Sequence, residues 1–253
     1  MTTKLFLHGV PETAAIWHDL IEALDGEATT LSLPGFATDL PAGFDGSMDS
    51  YAAWLTEQIV AVDDEVDLVG HDWGGILTAR IATVPPANLR SWVTDAPGAL
   101  RAGFVWHDLA KLWISDAGED FWSGMIDDPA GSAELLTGFG LTLDHATQIV
   151  DGVDQRMVDS ILRLYRSSTG LGVDWLITGP ATVPGLVVIA ADDPLGSVHV
   201  NREMAEQLGA GLAVLDSGGH FWPIEAAAAG AAAISGFWAT LSSSTGAPDA
   251  GDR

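Results

Sequence analysis

Short, largely apolar runs alternate with longer stretches of helical spacing along most of this chain. KLFL (4–7), residues 28–32 within ATTLSL, VDLV (66–69), SWVT (91–94), LVVIA (186–190) and LAVLD (212–216) have strand length, and their lack of a polar face is the pattern of strands covered on both sides in a parallel sheet. Between them, DSYAAWLTEQIVAV, GGILTARIATV and VNREMAEQLGA repeat apolar residues three and four apart, so each predicts a helix. The alternation predicts a doubly wound α/β sheet.

One interval is too long for a single crossover. From 98 to 183 the chain carries Trp106, Trp113, Phe121, Trp122, Leu135, Leu141, Ile149, Met157, Ile161, Leu164 and Trp175 at largely helical intervals, which predicts a helical insertion. The expected organisation is a core in two parts, 1–97 and 184–241, around the insertion 98–183, with 242–253 (SSSTGAPDAGDR) having the composition of a disordered tail. With 253 residues, 47% hydrophobic, one unit is expected rather than two independent domains.

Composition narrows the chemistry. Without cysteine the chain has no disulfide, thiolate nucleophile or Cys-ligated metal, and no histidine cluster has metal-ligand spacing. Ten Lys and Arg against 35 Asp and Glu give a net charge of −25, which repels phosphate backbones and anionic membranes, so neither nucleic acid nor membrane is an expected partner. MTTKLFLHGVPET reaches a polar His-Gly too soon for a signal peptide, and the Ala-rich EAAAAGAAAISGFW is no membrane span. A soluble, cytoplasmic protein is the expectation.

The octapeptide LVGHDWGG (68–75) joins a predicted strand to a predicted helix. Glycines at 70 and 74 permit a turn tight enough to present Asp72 above the sheet, as an elbow displays a nucleophile. The simpler reading is that Asp72 caps the helix. Three further segments stand at strand ends: FLHGVPET, VVIAADDPLGS and SGGHFWPIE. Read alone, each is a turn rich in Gly, Pro and Asp, and a lone histidine is more often structural.

Together these motifs resemble the α/β-hydrolase fold, in its aspartate-nucleophile branch of epoxide hydrolases and haloalkane or haloacid dehalogenases. The resemblance covers nearly the whole core and is loose in 98–183, which would be the cap. It implies a mostly parallel sheet, here lacking the usual N-terminal hairpin because the His-Gly strand starts so early. The exposed sheet edge makes a homodimer an expectation.

The resemblance also implies roles. Asp72 would attack an sp³ carbon and form an alkyl ester; the same attack on an ester carbonyl would give a reactive anhydride. The N–H groups of Val10 and Trp73 would form the oxyanion hole, and His220 would activate the hydrolytic water. Its acid partner would be Asp193, which precedes Pro194, with Asp95 in SWVTDAPG as the alternative because some dehalogenases keep their acid there.

The leaving group divides the branch. Epoxide hydrolases resemble one another in having two cap tyrosines as donors, and here only Tyr165, in ILRLYRSS, matches; Tyr51 reads as core packing, so Trp106, His107 or another cap residue would have to serve as the second. Haloalkane dehalogenases need halide donors. Trp73 suits both classes, Val10 stands where an asparagine donor is usual, and the cap offers Trp106, Trp113, Trp122 and Trp175, each first read as packing. The Arg that follows the nucleophile in fluoroacetate-type enzymes is absent, which disfavours a small carboxylate substrate. The expected function is an epoxide hydrolase giving vicinal diols from a small hydrophobic epoxide and water. The alternative is a haloalkane dehalogenase, and the third reading is a non-catalytic ligand-binding member. No cofactor or metal is expected.

Overall fold

The computed structural model describes residues 2–24 and 26–244. Six strands, β1 (Thr2–Leu7), β2 (Thr29–Leu31), β3 (Glu65–Gly70), β4 (Leu89–Thr94), β5 (Gly185–Ala190) and β6 (Gly211–Leu215), form one sheet in the order β2-β1-β3-β4-β5-β6. Every pairing is parallel, with Leu7 opposite Gly70, Val69 opposite Val93 and Ile189 opposite Val214. All six strands coincide with the apolar runs. The polar residue inside the third run, Asp67, is buried and hydrogen-bonded to Arg90 and Ser91 on β4, which is how a central strand accommodates a carboxylate.

No strand pair precedes β1 among the described residues. The edge of the sheet is the three-residue β2, whose Thr29 and Thr30 are exposed, while the His-Gly strand β1 lies inside between β2 and β3.

Helices cover both faces: α1 (His18–Leu24), α2 (Met48–Val60) and α3 (Trp73–Thr83) in the first part, then α10 (Val198–Leu208), α11 (Trp222–Glu225) and α12 (Ala227–Ser244) after the insertion. Ser47 caps α2 by accepting the Ser50 N–H, and α10 stops at Gly209, whose φ of 67° is the left-handed conformation glycine adopts without steric cost. Helix α12 runs to Ser244, over the first three residues of the segment 242–253 expected as a tail; residues 245–253 lie outside the described residues. No helix among the described residues is long and apolar enough to cross a membrane.

Between β4 and β5 every regular element is helical: a 3₁₀ turn (Pro97–Leu100), then α4 (Asp108–Ile114), α5 (Gly118–Asp127), α6 (Pro129–Thr137), α7 (Leu143–Asp151), α8 (Gln155–Ser167) and α9 (Leu171–Asp174). Helix α8 is the amphipathic centre of this segment. Asp154 caps it through the Met157 N–H, and Met157, Val158, Ile161, Leu162, Leu164 and Tyr165 are buried along one side. Each such side chain contributes about 1.5–3 kcal/mol of burial, enough to hold Tyr165 firmly over the carboxyl ends of the strands.

Candidate active site

Asp72 stands on the turn between β3 and α3 with φ 51° and ψ −119°, a conformation that costs a non-glycine residue about 1–3 kcal/mol. Close backbone approach imposes it. A Cβ on Gly70 would lie 2.2 Å from the Gly74 carbonyl, and one on Gly74 would lie 2.1 Å from the Leu7 carbonyl, so both positions exclude side chains. The Asp72 side chain makes no capping bond to α3. Instead, Oδ1 accepts the N–H of Val10 at 2.8 Å, across from the end of β1. Trp73 opens α3, which leaves its own N–H without an intrahelical acceptor.

His220, on the loop after β6, places Nε2 3.7 Å from Asp72 Oδ2 and Nδ1 3.3 Å from Asp193 Oδ2. Asp193 is therefore the carboxylate in contact with His220. Asp95 is engaged elsewhere: Oδ2 lies 2.5 Å from His71 Nδ1 and accepts the Trp222 indole N–H at 2.6 Å, while Oδ1 accepts the Asp72 backbone N–H at 3.0 Å.

Burial sets the charges. It pushes the Asp72 carboxyl up to about 6, with the Glu12 charge adding to it and His220, His71 and the Val10 bond opposing it. For His220 burial acts downward, but the Asp193 hydrogen bond and charge outweigh it and hold the imidazole above its ordinary range. Asp193 is likewise held low against its own burial by His220.

Two cavities meet at this centre and share Asp72, His107, Leu195 and His220 in their walls. One, about 260 Å³, is bounded by Arg101, Phe104, Trp106, Asp193 and Asn201. The other, about 50 Å³, is walled by Trp113, Phe121, Trp122, Met125, Phe139 and Tyr165, with Val10 at its base.

Tyr165 is buried against Trp73, Trp106 and Trp113, its ring 5.5 Å from that of Trp73 and 4.9 Å from that of Trp113. Burial holds its phenol well above the usual range and the Asp72 charge raises it further, so it keeps its proton at neutral pH. His107 caps α4: Nδ1 accepts the Ala110 N–H, which leaves the ring proton on Nε2. Burial, with the His220 charge, lowers it to about 4, so it too is a neutral N–H donor.

The tryptophans divide. The indole N–H groups of Trp106 and Trp175 are committed to the Ser168 carbonyl and Asp49, and Trp175 borders neither cavity. Those of Trp113 and Trp122 are buried without a partner, whereas that of Trp73 lies against the Tyr165 hydroxyl. Tyr51 donates to the Pro34 carbonyl and lies outside both cavities, in line with a packing role.

Two buried residues of this centre escaped the sequence reading. Glu12 and His71 are 0% and 1% exposed, with His71 Nε2 3.0 Å from Glu12 Oε1. The available signal was their position inside HGVPET and LVGHDWGG, charged residues enclosed by strand ends and glycines.

The arrangement holds a carboxylate on a backbone N–H, a carboxylate-paired histidine, and neutral donors across an apolar chamber. Such a set can bind a small molecule, alkylate a carboxylate and activate water.

Residues 5–233 match the Alpha/beta hydrolase family. No curated protein matches the sequence. Among solved structures, the fold is similar to an epoxide hydrolase from Bacillus megaterium in complex with an inhibitor (TM-score 0.78, 18% identity, 94% of this chain and 94% of that one). It is also similar to a loop variant of a haloalkane dehalogenase from Bradyrhizobium elkanii (TM-score 0.74, 19% identity, 97% and 92%) and to the juvenile hormone epoxide hydrolase of the silkworm Bombyx mori (0.72, 18%, 96% and 70%).

Proposed function

The chain belongs to the alpha/beta hydrolase family, and from that premise we propose that it is an epoxide hydrolase working through a covalent ester on Asp72. The observation that carries this reading is the placement of Asp72 between two kinds of donor. Its Oδ1 is bound to the Val10 N–H, and the protonated Tyr165 borders the same apolar chamber.

In the first step the free Oδ2 attacks an epoxide carbon, the C–O bond breaks, and the departing oxygen takes a proton from Tyr165. Neutral His107, which faces the chamber from α4, donates through Nε2–H as the second partner of that oxygen. In the second step His220 takes a proton from water, and the hydroxide adds to the Asp72 carbonyl carbon. The N–H groups of Val10 and Trp73 stabilise the oxyanion, and its collapse expels the vicinal diol, whose oxygen takes the proton of the added hydroxyl and leaves the free carboxylate; the imidazolium proton of His220 returns through solvent to the Tyr165 phenolate, which restores both groups. Asp193 steadies the imidazolium meanwhile. The diol leaves with one oxygen from the epoxide and one from Asp72.

The cavities support a substrate of modest size, with one small apolar substituent in the 50 Å³ chamber and a larger one in the 260 Å³ chamber. A single turnover in H₂¹⁸O tests the mechanism. The ester route puts no label in the first diol and leaves it on Asp72; direct attack by water labels the diol at once and refutes the ester.

A second reading, haloalkane dehalogenase, has one observation in its favour: the unpartnered N–H groups of Trp113 and Trp122 in the walls of the small chamber, where they could hold a halide. Halide release without diol formation from any epoxide would select it.

A further inference from the structure

The buried groups beneath Asp72 form a closed circuit. The Asp72 N–H donates to Asp95 Oδ1, and Asp95 Oδ2 lies 2.5 Å from His71 Nδ1. His71 Nε2 is 3.0 Å from Glu12 Oε1, an ion-pair contact. Glu12 Oε2 accepts the Gly9 N–H at 2.9 Å, and the next amide, Val10, returns to Asp72 Oδ1. The circuit thus joins the backbone of the nucleophile's turn to the backbone of the oxyanion loop through one imidazole ring. The His71 backbone N–H also donates to the Leu7 carbonyl, and the Trp222 indole closes Asp95 from the far side.

We propose that His71 is a positioning residue, a buried cation clamped between Glu12 and Asp95 that locks the two halves of the Asp72 seat together and places positive charge beneath the carboxylate. Two carboxylates on one ring satisfy it only when both nitrogens carry protons, because a neutral imidazole would present a lone pair to one of them. The direction of titration agrees: although burial acts downward, the Glu12 and Asp95 charges hold His71 well above its ordinary range, and Glu12 is held low by His71 against its own burial.

The groups facing Asp72 are Glu12 from the oxyanion loop, His71 on its own turn, His220 after β6 and Tyr165 on α8, with His107 in the shared cavity wall; Asp95 meets its backbone and Asp193 stands behind His220. The neighbouring His8 is held low by burial and donates no charge. Glu12 and His71 act on Asp72 with opposite signs, Glu12 raising its midpoint and His71 lowering it.

The consequence for turnover rests on Asp72 being the nucleophile; the test below does not. Nuclear magnetic resonance of the full chain, labelled with ring-¹⁵N histidine and carboxyl-¹³C aspartate, reads both groups without substrate. His71 should keep two protonated nitrogens well above the pH at which an ordinary imidazole loses one, with a far-downfield ring proton that His71→Gln abolishes. The Asp72 midpoint, about 6 in the parent, should rise by roughly one pH unit in His71→Gln and fall by a similar amount in Glu12→Gln. A His71 ring titrating near its ordinary value, or variants that move Asp72 in the same direction or not at all, would overturn the proposal. Should His71→Gln fail to fold, the parent ring state and Glu12→Gln decide it. The expected shifts in a protein that opens no epoxide would support the role of His71 while removing the functional reading.

Discussion

The Val10 N–H donates to Asp72 Oδ1 across 2.8 Å, joining two loops 62 residues apart in sequence. The contact needs a bare backbone at the preceding residue. A Cβ on Gly9 would lie 2.3 Å from Asp72 Oδ1 and 2.4 Å from its Cβ. The Asp72 Cβ is fixed by its own backbone, so Gly9→Ala must shift the turn itself, lowering stability and slowing ester formation by about two orders of magnitude through a displacement of the order of 1 Å. Adduct formation rates beside melting curves check this; an unaltered rate would mean that the contact does not position the nucleophile.

Asp72 should cost stability at neutral pH. Its folded midpoint of about 6 lies above the ordinary 3.8, so the native state holds the proton more tightly than the unfolded chain. Above about pH 6 the buried charge is a burden, while below 3.8 the group is neutral in both states. Asp72→Asn should gain about 3 kcal/mol at pH 8, and the gain should fade as the pH drops from 6 to 4. Urea unfolding at pH 8 and pH 4 measures it, and an equal gain at both would separate the effect from ionisation.

The two half-reactions should separate on acidification. Ester formation needs ionised Asp72 and declines below about pH 6. Ester hydrolysis needs neutral His220, which the Asp193 contact holds protonated to a pH above 6.5, and that contact survives ester formation. The ester should therefore accumulate in the parent protein near pH 6 and stay sparse at pH 8, as acid-quenched samples weighed by mass spectrometry would show.

Tyr165→Phe and His107→Phe should each slow epoxide opening about 10²-fold or more, the usual contribution of a proton donor. Neither should slow displacement of a halide, which leaves without a proton. Measuring each variant against an epoxide and a bromoalkane of matched size checks the pair.

Gly74→Ala tests the elbow itself. The added Cβ meets the backbone carbonyls of Leu7 and His8 at 2.1 and 2.6 Å, and backbone cannot swing aside as a side chain can. A loss of about 2–4 kcal/mol is expected by thermal or urea unfolding, in the range of severe core overpacking.

The sheet was legible because burial on both faces leaves strand-length apolar runs, and all six appear within two residues of their expected limits. The elbow was legible for a different reason: Gly70 and Gly74 announce a crossing of backbones. Whether the Asp72 side chain capped α3 was not, since that depends on which N–H holds the carboxylate, and the N–H that holds it is that of Val10, from a loop 62 residues away. The choice between Asp193 and Asp95 was equally hidden. Both follow strand ends, and their partners, His220 and His71, are fixed by how loops from distant strands converge. In the insertion, Trp106 was a candidate donor until its N–H was found on the Ser168 carbonyl, a contact across 62 residues that no local pattern signals.

The most direct test of the central claim is the intact mass of His220→Ala after incubation with terminal epoxides and, separately, with chloro- and bromoalkanes. This variant should form the ester and fail to release it. The account predicts a gain equal to the whole mass of the epoxide, mapping to Asp72 and absent from a second variant that also carries Asp72→Asn. A gain equal to the haloalkane less hydrogen halide, with no epoxide adduct, would make the protein a dehalogenase. A folded variant that gains no mass from either class would contradict the ester mechanism itself.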